Sequence, residues 1–306
     1  MSPPIQHGVS TVAVLLATHN GGQFLAEQID SILGQVGVQV RIIASDDASR
    51  DDTLHLLEAY AQSTDRIAVL PKSGLKLGNA NRNFMRLIHD APIGDAQFVA
   101  FSDQDDIWQR DKLKAATDRL ISECASGYSC NITAFWPNGR RKLLIKSQPQ
   151  RAHDHFFESA GAGCTFVLTR QAFDELRRLI RADYGSARAL RIHDWTIYAF
   201  VREQGMKWII DSRSSIEYRQ HGQNELGANV GMRAAVARFN QLRDGSFRLE
   251  ALNLAKILRL EHPILKRLQR LSWADRIILA LRARQCRRRC VDAAVLALFF
   301  LITKKR

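Results

Sequence analysis

Three carboxylates, Asp103, Asp105 and Asp106, fall within the stretch FSDQDDIW that runs from Phe101 to Trp108. Carboxylates packed this closely repel one another, so they call for a compensating cation. A hard divalent ion, Mn²⁺ or Mg²⁺, takes oxygen ligands of this kind. A second reading is open: a solvated acidic turn that caps a helix beginning near Arg110. Other polar clusters lie elsewhere along the chain: Thr18-His-Asn-Gly-Gly22, Ser45-Asp-Asp-Ala-Ser49, His193-Asp-Trp195 and Tyr218-Arg-Gln-His-Gly222.

The segments that precede the first clusters are short and apolar. Val12 to Ala17, Val40 to Ala44, Ile67 to Leu70 and Phe98 to Phe101 read as buried parallel strands. Between them, Phe24, Ile29, Ile32 and Leu33 recur at helical spacing, as do Leu54, Leu57 and Ala61; Asn83 to Leu87 sits in a further helix. This alternation predicts an α/β fold with a mostly parallel, doubly wound sheet. In such a sheet the strand carboxyl ends share one edge, where ligands bind. The turns THN, SDD and SDQDD would then face one crevice. Beyond Glu123 the pattern is less regular. Tyr128 to Phe135 and Trp208 to Ile210 read as strands, and a helical segment begins at His193. Gly161-Ala-Gly163 either lets a backbone approach a substrate or simply breaks a loop. Loop residues such as Gln148 to Ala160 are expected to shape the pocket. No Walker loop and no G-x-G-x-x-G follows the first strand, so the usual phosphate and dinucleotide motifs are excluded.

The chain has 306 residues and a formal charge of +13. From Lys256 to Arg306 there are 14 Lys or Arg against 3 Asp or Glu, so most of the excess sits in that region. The nearly neutral main body argues against a nucleic-acid groove. Five scattered cysteines suggest neither a zinc site nor a disulfide framework, and a reducing compartment is expected. MSPPIQHG lacks a secretory pattern. No apolar run reaches the ~18–20 residues of a spanning helix.

The ordered pieces ATHNGG, DDASRDDT, SDQDDIWQRDKL, GAGCTFVLTR and HDW resemble the inverting nucleotide-sugar glycosyltransferases of family 2, which have the GT-A fold. The resemblance covers about Val12 to His221; DQDD, HDW and YRQHG are most similar to the rhamnosyltransferase subgroup. It implies a metal-dependent enzyme that moves a sugar, L-rhamnose in that subgroup, from a dTDP- or UDP-sugar to a hydroxyl of a surface-polysaccharide or lipid-linked acceptor. Thr18 and its turn, Asn20 included, would line the nucleobase pocket. Asp47 would accept the base N3–H, an apt role for an acceptor-only side chain. One of Asp46 and Asp47 would instead cap a helix. Lys76, Asn79 and Arg82 lie where the family contacts the sugar nucleotide, and they read equally as a solvated helix start. Asp103 would sit near ribose and metal, Asp105 would ligate the metal, and Asp106 would cap the next helix or orient the ligands. His221 would be a third metal ligand or a diphosphate contact, and Arg219 a phosphate contact. Asp194 matches the general base, with N-capping of the Trp195 helix as its other reading. His19 stands where Tyr is frequent in the family.

The implied organisation is a GT-A domain over residues 1–225 and a basic, amphipathic helical region over 226–306. Ile264, Leu268, Leu271, Ile278 and Leu281 fit one helical face, and Val291 to Ile302 is apolar except for Asp292. That region either packs on the domain or lies against an anionic membrane. The second option implies a cytoplasmic protein held at the inner face of the cytoplasmic membrane. Two competing functions are a sugar-1-phosphate nucleotidyltransferase and a non-enzymatic lipid- or polyanion-binding module. The first wants a basic residue in the loop after the first strand, which THNGG lacks.

Overall fold

The computed structural model describes residues 8–303 apart from 73, 75 and 223–244. The N-terminal half alternates β1 (Ser10–Thr18), α1 (Gly22–Leu33), β2 (Val38–Asp46), α2 (Thr53–Ser63), β3 (Ile67–Val69), α3 (Ala80–Asp90) and β4 (Phe98–Ser102). Strands β3, β2, β1 and β4 are neighbours in that order and all parallel. Residues of β1 alternate between two apolar layers. Ala13, Leu15 and Ala17 face α3 and the later helices, while Val12, Val14 and Leu16 face the layer that contains Leu25, Ile29 and Leu57. Burial on both faces is why the strand reads as an unbroken apolar run.

The second half of the sheet mixes directions. It contains β5 (Ile107–Trp108), β6 (Gly127–Phe135), β7 (Arg141–Leu144), β8 (Val167–Thr169) and β9 (Trp208–Arg219). The sheet continues β4-β8-β6-β9-β5; β8 is antiparallel to β4 and β6, β6 and β9 are parallel, and β5 is antiparallel to β9. The parallel expectation thus holds for the first four strands. Strand β9 extends nine residues beyond the expected Ile210. Its continuation, DSRSSIEYR, is largely half-buried and polar, so apolar periodicity does not mark it. Helices α4 (Lys112–Ser122), α5 (Arg170–Ala182), α6 (Tyr184–Ala187) and α7 (His193–Glu203) cover the faces.

The C-terminal region folds as α8 (Ser246–Ile257), α9 (Pro263–Arg270), α10 (Trp273–Leu281), α11 (Ala283–Cys286) and α12 (Cys290–Ile302). The expected single helical face over Ile264 to Leu281 is broken. Leu271 adopts φ 53°, and Ser272 then starts α10 with a reciprocal capping box to Asp275. Leu254, Leu265, Leu268, Phe299 and Phe300 join the same buried cluster as α3, α5 and α7. The expected boundary at 225/226 lies outside the described residues. So do Lys304 to Arg306.

Gln148 to Ala160 is not an open loop. Asp154 to Phe156 form a short 3-10 turn, and Asp154, His155, Phe156, Phe157 and Ala160 are buried. Through Asp154, Glu158 and Ser159 the segment also ties the sheet domain to the C-terminal helices.

Candidate active site

Parallel pairing places Thr18 opposite Asp46 and Leu16 opposite Ser102. The turns after β1, β2 and β4 therefore open on one edge. Asn83 of α3 ties two of them, donating to the carbonyls of Thr18 (3.2 Å) and Ser45 (2.8 Å).

Thr18 is buried and its hydroxyl donates to Asp46 at 3.1 Å. Asp46 also accepts from the Ser49 amide and hydroxyl, so it folds its own turn. Asp47 is buried, and its two oxygens accept the backbone amides of Leu77 and Gly78, the latter at 2.7 Å. Neither aspartate caps α2, whose first turn is fastened by Asp51 through Thr53. Asn20 accepts the Arg50 amide at 2.8 Å, and its amide nitrogen lies 3.1 Å from the His19 ring. The His19 Nδ1 lies 2.7 Å from the carbonyl of Asp47. Asn79 caps α3 by accepting from the Arg82 amide, and the Arg82 guanidinium donates to the carbonyls of Leu77 and Arg188. Both residues thus have clear structural duties; Lys76 is exposed nearby.

The acidic loop is locked from several sides. Gln104, which sequence reasoning passed over, accepts the His19 amide at 2.7 Å and donates to the His19 carbonyl at 3.0 Å. The carboxamide lies where a Cβ on Gly21 would stand, so this contact requires the glycine. Strand β5, directly after the loop, pairs with β9 and brings YRQHG alongside SDQDD. The Nε2 of His221 is 2.7 Å from Asp105, and its ring lies 4.8 Å from Phe24. Arg219 donates from its side chain to the Asp105 carbonyl (2.9 Å) and to Glu27, and from its amide to Asp106 (3.2 Å). Its guanidinium lies between Phe24 and Phe135, 4.7 Å from each. Arg219 thus braces the acidic loop.

Asp106 does not cap α4, which begins six residues later. It clusters with Asp103 and Cys164, whose ligand atoms all lie within 4.8 Å of one another. Burial pushes its carboxyl well up, and the charges of Asp105 and Asp103 add to that. One Asp106 oxygen is buried without a hydrogen-bond partner among the described residues. Beneath it, Lys112 is buried with its ammonium 3.2 Å from the Trp108 ring centre, and burial pulls its pKa down to about 8. The carboxylates of Asp103 and Asp106, with the orphaned Asp106 oxygen, suit a hard divalent cation, whereas the expected ligands Asp105 and His221 pair with each other and are not part of that group.

Asp194 lies in the first turn of α7 and accepts its neighbour's amide, Trp195, at 2.6 Å. Ile192 holds the N-cap position. Burial pushes the carboxyl up to about 7, opposed by that amide and by the nearby Lys146. Lys146 itself is held down chiefly by burial. The GAG segment connects Asp194 to the acidic cluster. A Cβ on Gly163 would overlap the His193 ring and come within 3.3 Å of the Asp194 Cβ, while the next residue, Cys164, belongs to the Asp103–Asp106 cluster. His193 stacks on Phe84 of α3, ring centres 3.9 Å apart. The nucleotide-side turns, the acidic loop and Asp194 are therefore contiguous. Cys164, Lys112 and Lys146 carry no signal in the sequence, because a lone Cys or Lys in a mixed segment reads as core or surface.

The model of glycosyl transferase family 2 matches residues 13–177. The chain belongs to glycosyl transferase family 2. This family 2 enzyme is 36% identical over 287 residues to the dTDP-rhamnosyl transferase RfbG of Shigella flexneri, covering 94% of this chain and 99% of that one. It is 30% identical over 119 residues to a Campylobacter jejuni GalNAc(5)-diNAcBac-PP-undecaprenol beta-1,3-glucosyltransferase, 39% of this chain and 36% of that one. The glycosyltransferase fold is shared with S. aureus TarS 1-349 solved in complex with UDP: TM-score 0.54, 14% identity, covering 95% of this chain and 89% of that one. Family membership makes the chain a glycosyltransferase and sets aside the nucleotidyltransferase and non-enzymatic readings.

Proposed function

We propose that this family 2 transferase moves L-rhamnose from dTDP-L-rhamnose, with inversion, to a hydroxyl of a surface glycan growing on a lipid diphosphate. The observation that carries the donor is the end-to-end similarity to a dTDP-rhamnosyl transferase. The lipid-linked acceptor draws support from the substrate in the name of the Campylobacter relative, and such an acceptor would suit work at the inner face of the cytoplasmic membrane.

Thr18, Asn20 and Asp47 hold the thymine, each Asp47 oxygen keeping a lone pair beyond its backbone bond for the N3–H. Asn79 and Arg82 flank the donor, and Arg219 keeps the acidic loop in register. Asp103, Asp105 and His221 would hold Mn²⁺ or Mg²⁺, which offsets charge on the diphosphate when bound. Asp194 takes the acceptor proton as the hydroxyl oxygen bonds to the anomeric carbon. The bond from that carbon to the diphosphate breaks on the opposite side, and dTDP leaves with the electron pair. One displacement inverts the centre, so no covalent enzyme intermediate forms.

A thermal-shift series tests the donor. dTDP and dTDP-L-rhamnose with Mn²⁺ should raise Tm, since a ligand selective for the folded state stabilises it. Asp105→Ala should lose that Mn²⁺-dependent shift. Stabilisation by UDP-sugars with none by dTDP-sugars would overturn the donor assignment.

A further inference from the structure

We infer that the paired helices α10 and α12 form a surface that docks on an anionic lipid bilayer. On α10, Trp273, Ile277 and Leu281 follow one another at four-residue steps and are 75%, 51% and 80% exposed. On α12, Val291, Val295 and Leu298 repeat the pattern at steps of four and three. The opposite sides, Leu279 on α10 and Leu296, Phe299 and Phe300 on α12, are buried in the core. Each helix therefore has apolar faces inside and outside. The two lie side by side in opposite directions: Arg276, near the start of α10, donates to the carbonyls of Phe300 and Leu301 at the end of α12. Six large apolar side chains left exposed on two paired helices mark a surface that takes a partner.

The rim decides which partner. Between Trp273 and Ile302 the only acidic residues are Asp275 and Asp292, against six arginines. Asp275 is buried and engaged by Arg267 and Arg270; Asp292 sits 4.0 Å from Arg289. Arg282, Arg284 and Arg289 are exposed around the stripes. A second copy seated symmetrically on this face would set those arginines against their own duplicates. An anionic bilayer instead receives the apolar stripes among its acyl chains and the guanidinium groups among its headgroups. Trp273, with an apolar ring and one N–H donor, suits the interfacial layer. The surface rests on the proposed lipid-borne acceptor for its purpose, but not for its geometry.

The test is co-sedimentation of the full chain with vesicles, without donor or acceptor. Vesicles of phosphatidylcholine with equal phosphatidylglycerol should capture the protein, and phosphatidylcholine alone should bind about tenfold less. Trp273→Ser with Ile277→Ser and Leu298→Ser should weaken capture by about tenfold or more. Arg282→Glu with Arg284→Glu and Arg289→Glu should erase the preference for the anionic lipid. The dTDP thermal shift of each variant reports an intact donor site, so a wrong donor assignment and a wrong surface give different results. The inference is overturned if anionic vesicles leave the chain in solution. It also falls if the serine variant binds like the parent, or if the parent is a dimer that this variant dissociates.

Discussion

Asp194 is the residue whose environment speaks most directly to chemistry. A carboxyl held near 7 matches a base that works near neutral pH. Transfer should rise with pH through about 7 and level off above it. Asp194→Asn should lower kcat by roughly 10²–10⁴-fold and abolish that rise. The same shift bears on stability with opposite sign. A raised carboxyl pKa means that the ionised form strains the fold above the unfolded value near 4. Asp194→Asn should therefore raise Tm at pH 8, by on the order of 2 kcal/mol in stability, and change it little at pH 4. Equal effects at both pH values would deny the shift. The residue types at Asp47, Asp103, Asp105, Asp194 and His221 were legible because acidic and imidazole groups stand out against apolar strands. Gln104 and Lys112 were not: only the folded chain shows an amide clasping His19 and an ammonium buried under Asp106.

Among elements, β1 and β4 were readable because burial on both faces leaves them almost purely apolar, and β2 because Ile42 to Ala44 are buried likewise. Strand β9 was not, since its second half alternates polar side chains along a half-exposed ribbon. Yet β9 is what carries Arg219 and His221 to the acidic loop, through its pairing with β5. The Gly163 turn has a comparable role between β6 and α7. A methyl there meets the His193 ring, which is itself pinned against Phe84. Gly163→Ala should cost about 1–3 kcal/mol of stability by overpacking and displace Asp194. Denaturant melts and kcat check the two effects; a variant unchanged in both would mean that the ring gives way freely.

At the scale of the molecule, the basic C-terminal region looked separable, because charge composition changes abruptly near Lys256. Charge is a surface property and says nothing of the inner faces, which share the main core. Arg288 shows the join. Its guanidinium reaches the buried Asp154 at 3.4 Å and the Ser159 carbonyl at 2.6 Å, while its amide donates to Glu158 at 2.7 Å. Asp154 in turn accepts from Tyr198 and Arg202 of α7, the helix that begins with His193 and Asp194. Arg288→Met strips a cation from a buried carboxylate and should destabilise the chain by about 3 kcal/mol, read by chemical denaturation. A loss below about 0.5 kcal/mol would show that Arg202 alone suffices.

The Asp154 hub has a practical corollary for protein engineers. A tail borrowed from a sister enzyme would arrive with the wrong plug for the socket formed by residues 154–160, so the natural unit of exchange includes both. Nor would shortening the chain before α8 yield a leaner catalyst, because the helix presenting Asp194 would lose its roof.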